Sequence, residues 1–220
     1  MKPSLQKLLL VPMVAAMCFI ASPVAYGDAI SVAGSLNSND ANDVFLFPFT
    51  LAGTDLRVQT FGYGGTGNAP GGTNAVRMVI SDGGFDPYLS LFRGTGPNAT
   101  FFASNDDGLC PPGGPAPACE DSTLMLSGLA QGAYTLALTV FDNFSFAENL
   151  GTGTLGDGFI GLGDYFDQAS GTARSPNFAF DISSSGSITP APVPEPRGLV
   201  LTGMVLIGAC LFMRKKGAQK

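Results

Sequence analysis

Tyr134-Thr135-Leu136-Ala137-Leu138-Thr139-Val140 decides the fold class. Tyr134, Leu136, Leu138 and Val140 recur at every second position, so an extended chain puts all four on one face. A helix would spread them round its circumference. The same period recurs on both sides of this stretch. Downstream, Phe178, Phe180 and Ile182 share a face. Upstream, Ile30, Val32 and Leu36 alternate with Ser31, Ala33 and Ser35, and Phe45, Phe47, Phe49 and Leu51 line a second strand. Leu56, Val58 and Thr60 alternate with Asp55, Arg57 and Gln59. Val76, Met78 and Ile80, then Leu89 and Leu91, a segment around Thr100 to Ala103, and Leu124 with Leu126 repeat the pattern. Gly, Asn, Asp and Pro bound these runs, as they bound strands. No window between the termini carries a helical stripe. Eight or nine short strands predict an all-β domain, a two-sheet β-sandwich of jelly-roll or Greek-key type.

Two stretches break the rhythm. Gly62 to Thr73 is rich in Gly and Asn and reads as a loop. Phe144 to Ser175 carries seven glycines and scatters Phe159, Ile160, Tyr165 and Phe166 among them. A structureless loop of that length is unusual in a compact domain. A short strand near Phe159, pinned to the core by the aromatics, is therefore expected.

The two ends read as targeting segments. Lys2 and Lys7 precede an apolar run from Leu8 to Ile20, and Ala25-Tyr26-Gly27 places small residues where a signal peptidase reads them. Residues 1–27 are thus a secretory signal peptide. Residues 28–183 form the ectodomain, and residues 184–192 are a Ser/Pro-rich linker. The last 28 residues divide into three parts: Val193-Pro194-Glu195-Pro196, an uncharged apolar run over residues 198–213, and a basic end over residues 214–220 opened by Arg214, Lys215 and Lys216. Proline resists helix, so a transmembrane helix starts after Pro196, and the basic cluster stays cytoplasmic. Sixteen residues span only about 24 Å, short of a hydrocarbon core of about 30 Å. A transient hold during processing suits that length better than a permanent anchor.

In motif, helix and basic end, this tail resembles the PEP-CTERM sorting signal of Gram-negative bacteria. The resemblance implies membrane retention of the precursor, recognition by an exosortase, removal of the tail and delivery to the outer surface or extracellular matrix. The other reading is an ordinary single-pass anchor.

Removing both ends changes the charge. The whole chain carries −6, whereas residues 28–192 hold Arg57, Arg77, Arg93 and Arg174 against fourteen aspartates, Glu120 and Glu148, four positive against sixteen negative, or −12. A surface of that sign repels nucleic acid and suits divalent cations or neutral glycans.

Within this acidic stretch, Phe85-Asp86-Pro87-Tyr88-Leu89-Ser90-Leu91-Phe92, Asn105-Asp106-Asp107, Asp121-Ser122 and Gly132-Ala133-Tyr134-Thr135-Leu136 occur in that order. The series resembles the bacterial pre-peptidase C-terminal domain, more closely its variants in PEP-CTERM proteins, and Asp157-Gly158-Phe159 and residues 177–182 fit the same variety. The resemblance implies an accessory β-sandwich without catalytic residues. The segment from Cys110 to Cys119 departs from it as an insertion.

Cys110 and Cys119 are the only cysteines between the two targeting ends. In an exported chain they are expected to form a disulfide. Zinc would need further soft ligands, and the chain contains no histidine. Around this loop stand Asp106, Asp107, Glu120 and Asp121, with Asp86 and Asp82 expected nearby. Such hard oxygen ligands suit Ca²⁺, although the spacing is not that of an EF-hand. The alternative is that these aspartates close Asx-turns. Catalysis has little to draw on. No histidine is present for a triad, and residues 28–192 contain no lysine for Schiff-base chemistry. The sequence thus leaves two functions open. One is a non-enzymatic protein of the cell surface or exopolysaccharide matrix. The other is a Ca²⁺-dependent glycan-binding module or adhesin, which aromatics such as Tyr63, Tyr165 or Phe166 on one surface would favour.

Overall fold

The structure is a computed structural model and describes residues 28–63, 71–112, 120–163 and 174–191. Two antiparallel sheets pack face to face as a sandwich. The first contains β1 (Asp28–Ser35), β10 (Asn177–Ser184), β3 (Asp55–Phe61) and β8 (Thr123–Ser127), side by side in that order. The second runs β11 (Ile188–Pro190), β2 (Phe45–Leu51), β9 (Gly132–Val140), β6 (Pro87–Arg93) and β7 (Thr100–Asn105). A two-stranded hairpin, β4 (Gly72–Thr73) with β5 (Val79–Ile80), stands apart from both.

Alternation along each strand builds the core. Tyr134, Leu136, Leu138 and Val140 face inward from β9, and Leu89 and Leu91 from β6. Leu56 and Val58 on β3 meet them from the other sheet, with Phe178, Phe180 and Ile182 on β10. The apolar face of β2 joins the layers through aromatic pairs. Phe45 lies 4.6 Å from Phe178, Phe47 makes an edge contact with Phe180 at 5.7 Å, and Phe49 stacks on Tyr134 at 5.9 Å. Tyr134 is fully buried, and its hydroxyl donates to the Ala130 carbonyl at 2.6 Å. That bond locks the bend into β9, as in a tyrosine corner.

The glycine-rich stretch after β9 folds back over the outer face of the second sheet. Ser145 caps the helical turn α1 (Phe146–Asn149) by accepting from the Ala147 amide at 3.1 Å. A 3-10 turn follows at Leu155–Asp157. Phe92, Ala99, Ala137 and Ala147 form a second small core there, against which Leu155 and Phe159 pack. Asn143, fully buried, ties the segment down by accepting from the Gly161 amide and donating to the Asn42 carbonyl. Near Phe159 the chain makes one isolated bridge, to Ser145, rather than a strand.

Two expectations need correction. The alternation at Val76, Met78 and Ile80 does not mark a buried strand. Val76, Met78 and Val79 are largely exposed, and Asn74 closes a turn by accepting from the Met78 amide with its side chain. The interval 184–192 is not all linker. Ser184 ends β10, and Ile188–Pro190 pairs with β2 and buries Ile188 in the core. Gly53 and Gly186 allow the connection. A Cβ on Gly186 would stand 2.5 Å from Gly53 Cα. No helix among the described residues is long and apolar enough to cross a membrane. The signal peptide and the sorting signal lie outside the described residues, as do Tyr165 and Phe166.

Candidate functional site: an acidic cluster at one end of the second sheet

Antiparallel pairing gathers the acidic residues. β6 runs against both β7 and β9, so the start of β6 lies beside the ends of its two neighbours. Asp86 precedes β6, Asp106 and Asp107 follow β7, and Asp142 follows β9. The Phe141 amide donates to the Asp86 carbonyl at 2.9 Å and fixes this register. Ser122, directly before β8, brings the first sheet to the same place. Its hydroxyl reaches the Pro87 carbonyl at 2.5 Å and also bonds the Asp106 carbonyl. After Asp107 the backbone passes close to β8, where a Cβ on Gly108 would collide with Thr123 at 2.4 Å.

One carboxylate oxygen from each of Asp86, Asp106 and Asp107 lies within 4.8 Å of the others. Two oxygens bound to one Ca²⁺ at about 2.4 Å each can be at most about 4.8 Å apart, so the spacing fits a shared ion. Asp86 and Asp106 are partly buried and Asp107 is exposed, so one side of the trio faces water. The electrostatics point the same way. Burial, then the charges of Asp107, Asp142, Glu120 and Glu148, push the Asp106 carboxyl up to about 6. Among the described residues, Asn105 Oδ1, Asp106 Oδ1 and Glu120 Oε2 are buried without a hydrogen-bond donor. Buried acceptors left in that state are costly unless a cation or water meets them.

Glu148 reaches this end from α1. The Tyr88 hydroxyl donates to one of its oxygens, and Ser104 Oγ to the other at 2.7 Å. Burial and the neighbouring Glu148 raise the Tyr88 phenol, which stays protonated as a donor. Sequence reasoning did not place Glu148 or Asp142 here. A signal for Asp142 was the dipeptide Asp142-Asn143 directly after a strand, since Asp and Asn tolerate the left-handed turn that Asp142 adopts at φ 66°.

Asp121 does not join the trio. It is 2 % exposed and accepts from Thr60 Oγ1 at 3.0 Å, while the Ser122 amide donates to the same Thr60 hydroxyl. Its place is in the junction between β3 and β8. Asp82 lines a separate cavity beside β5. Cys110 is disulfide-bonded, and its expected partner Cys119 lies outside the described residues. Tyr63 offers no surface platform, being 3 % exposed beneath the Arg174 guanidinium, 3.9 Å from the ring centre.

No family model matches this chain, and no relative is found among curated proteins.

Proposed function

We propose that this is an exported, non-enzymatic sandwich domain of the cell surface or exopolysaccharide matrix, which binds Ca²⁺ at Asp86, Asp106 and Asp107. The observation that carries the cation reading is the packing of three carboxylates within one ion's reach, beside buried oxygens that have no donor. Asn105, directly before Asp106, holds one of these buried oxygens, and the Glu120 carboxylate adds its negative charge to the field at Asp106. Calcium suits the site better than magnesium, because it accepts an irregular shell of oxygens and keeps some water.

The strand order supports a scaffold role. With β11 and the β4–β5 hairpin set aside, two four-stranded sheets remain, β1-β10-β3-β8 and β2-β9-β6-β7. This is the alternation of an eight-stranded jelly roll, an architecture common among lectin and capsid domains. The ectodomain's likeness to the pre-peptidase C-terminal domain agrees with an accessory module. Export rests on the signal peptide and on the tail that resembles a PEP-CTERM signal. A signal peptidase and an exosortase are the processing partners under this reading. The acidic surface argues against nucleic acid as a partner.

Thermal melting with calcium and with chelator tests the cation site. A ligand that binds only the folded state stabilises it by about 2.7 kcal/mol at a hundredfold excess over Kd. For a domain of this size that corresponds to a rise of about 5–11 °C. Asp107→Asn should remove most of the rise. Asp121→Asn should lower the melting point equally with and without calcium. A melting point indifferent to calcium in the unmodified protein refutes the cation site.

A further inference from the structure

The outer face of the first sheet carries a polar row that the core does not use. Ser31, Asp181, Gln59 and Thr123 stand opposite one another across all four strands. The hairpin arches over this row and leaves a cavity of about 290 Å³, lined among others by Arg57, Gln59, Phe61, Asn74, Pro112 and Asp181. Each polar group has a distinct state. Gln59 has no capacity to spare. Its Oε1 accepts from Arg57 Nη2 at 3.1 Å and from Thr123 Oγ1 at 2.9 Å, and its Nε2 donates to the carbonyls of Thr60 and Leu109. It is a positioning residue that fixes the guanidinium. Among the described residues Arg57 makes that one hydrogen bond, through Nη2, and its Nε is buried without an acceptor. Asp181 accepts from Ser31 Oγ and from the Ala75 amide, both at 2.6 Å, one on each oxygen. A carboxylate oxygen can accept a second bond, so Asp181 keeps capacity.

A cation and an anion thus face the same cavity, and among the described residues the cation's hydrogen bond goes to a glutamine instead of the carboxylate. We propose that this cavity binds an uncharged, hydroxyl-rich ligand, one pyranose unit of a glycan. One hydroxyl accepts from a terminal Nη of Arg57, and a neighbouring hydroxyl donates to Asp181. Ala29, Ala75 and Pro112 meet the C–H surface of the ring. A free anion fits less well, because Asp181 repels it, and a free cation meets Arg57. The inference deepens the reading of a domain placed in a polysaccharide layer and rests on it for the source of the ligand. It is separate from the cation cluster, since the cavity shares no residue with Asp86, Asp106 or Asp107.

The test uses the whole chain, ¹⁵N-labelled in detergent micelles with chelator present. Methyl glycosides of glucose, galactose and mannose are titrated in turn, with sodium acetate as the anion control. At least one glycoside is expected to produce saturable millimolar shifts of the Ala75 amide and the Arg57 Nε–H, whereas acetate produces none. Asp181→Asn, which keeps an oxygen for the Ala75 amide and turns an NH2 toward the Ser31 hydroxyl, itself able to accept, and Arg57→Lys, which keeps the charge, should each weaken binding at least about tenfold, the value of a hydrogen bond to a charged partner. Shifts with acetate alone, or no shift at these two groups with any glycoside, overturn the proposal. Either result leaves the export and calcium readings standing, because neither is measured here.

Discussion

Asp106 shows how much a single residue's setting matters. Its carboxyl is raised to about 6, so in calcium-free protein the folded state holds a proton that the unfolded state has released above its ordinary value of 3.8. Between those values the native state binds more protons, and stability therefore falls as pH rises from about 4 through about 6. Asp181, raised by burial, acts in the same direction, so Asp106→Asn is the variant that isolates the cluster. Without calcium, Asp106→Asn should flatten much of the acid-side slope and raise stability at pH 7.5, as read from urea unfolding across pH. Loss of stability at pH 7.5 in chelator would show that the charge is not under strain. Tyr134 gives a second residue-scale test. Tyr134→Phe should cost about 1 kcal/mol through the lost bond to Ala130, and Tyr134→Ala about 3–5 kcal/mol through the cavity it leaves. The sequence showed Tyr134 as a core residue through its period. Its hydroxyl's partner was not legible, because the bend that brings Ala130 round is set by the sheet and not by the local pattern.

At the scale of elements, alternation identified the long strands and failed where burial did not follow it. β9, β6 and β10 are read correctly from every second residue, since both of their faces are covered and one is wholly apolar. Val76, Met78 and Ile80 share that pattern on a hairpin too short to bury them. Conversely, Ile188–Pro190 lies in a Ser/Pro-rich stretch, and only its place beside β2 makes it a strand. Gly186→Ala should expose that dependence. The new methyl group meets Gly53 backbone at 2.5 Å and must push β11 off β2, at a cost of about 1–3 kcal/mol by urea unfolding. An unchanged midpoint would mean that β11 adds nothing to the fold. The Cys110 loop is a second element-scale constraint. With the expected partner Cys119, the bridge would close a ten-residue loop and contribute about 2.5–3 kcal/mol in the chain-entropy model, so reduction of the protein should lower its unfolding free energy by that order.

For the whole molecule, the sequence carried the fold class and the acidic character, but not the strand order. Pairing of β1 with β10 and of β3 with β8 joins residues far apart in the chain, and no local period encodes it. The same limit explains the cluster. Asp106 and Asp107 are neighbours in sequence, and Asp86 joins them only because β6 and β7 are paired antiparallel. Asp121, next to the disulfide loop in sequence, is drawn instead into the β3–β8 junction by Thr60. The export reading makes its own prediction at this scale. Intact mass of the protein released at the cell surface should show loss of residues 198–220, and a surface-released form still ending in Lys220 would count against processing. The central claim is the shared cation, and anomalous diffraction from a crystal grown with millimolar calcium addresses it most directly. The account predicts one peak about 2.3–2.6 Å from oxygens of Asp86, Asp106 and Asp107. A well-ordered cluster with no peak among these three carboxylates would contradict it.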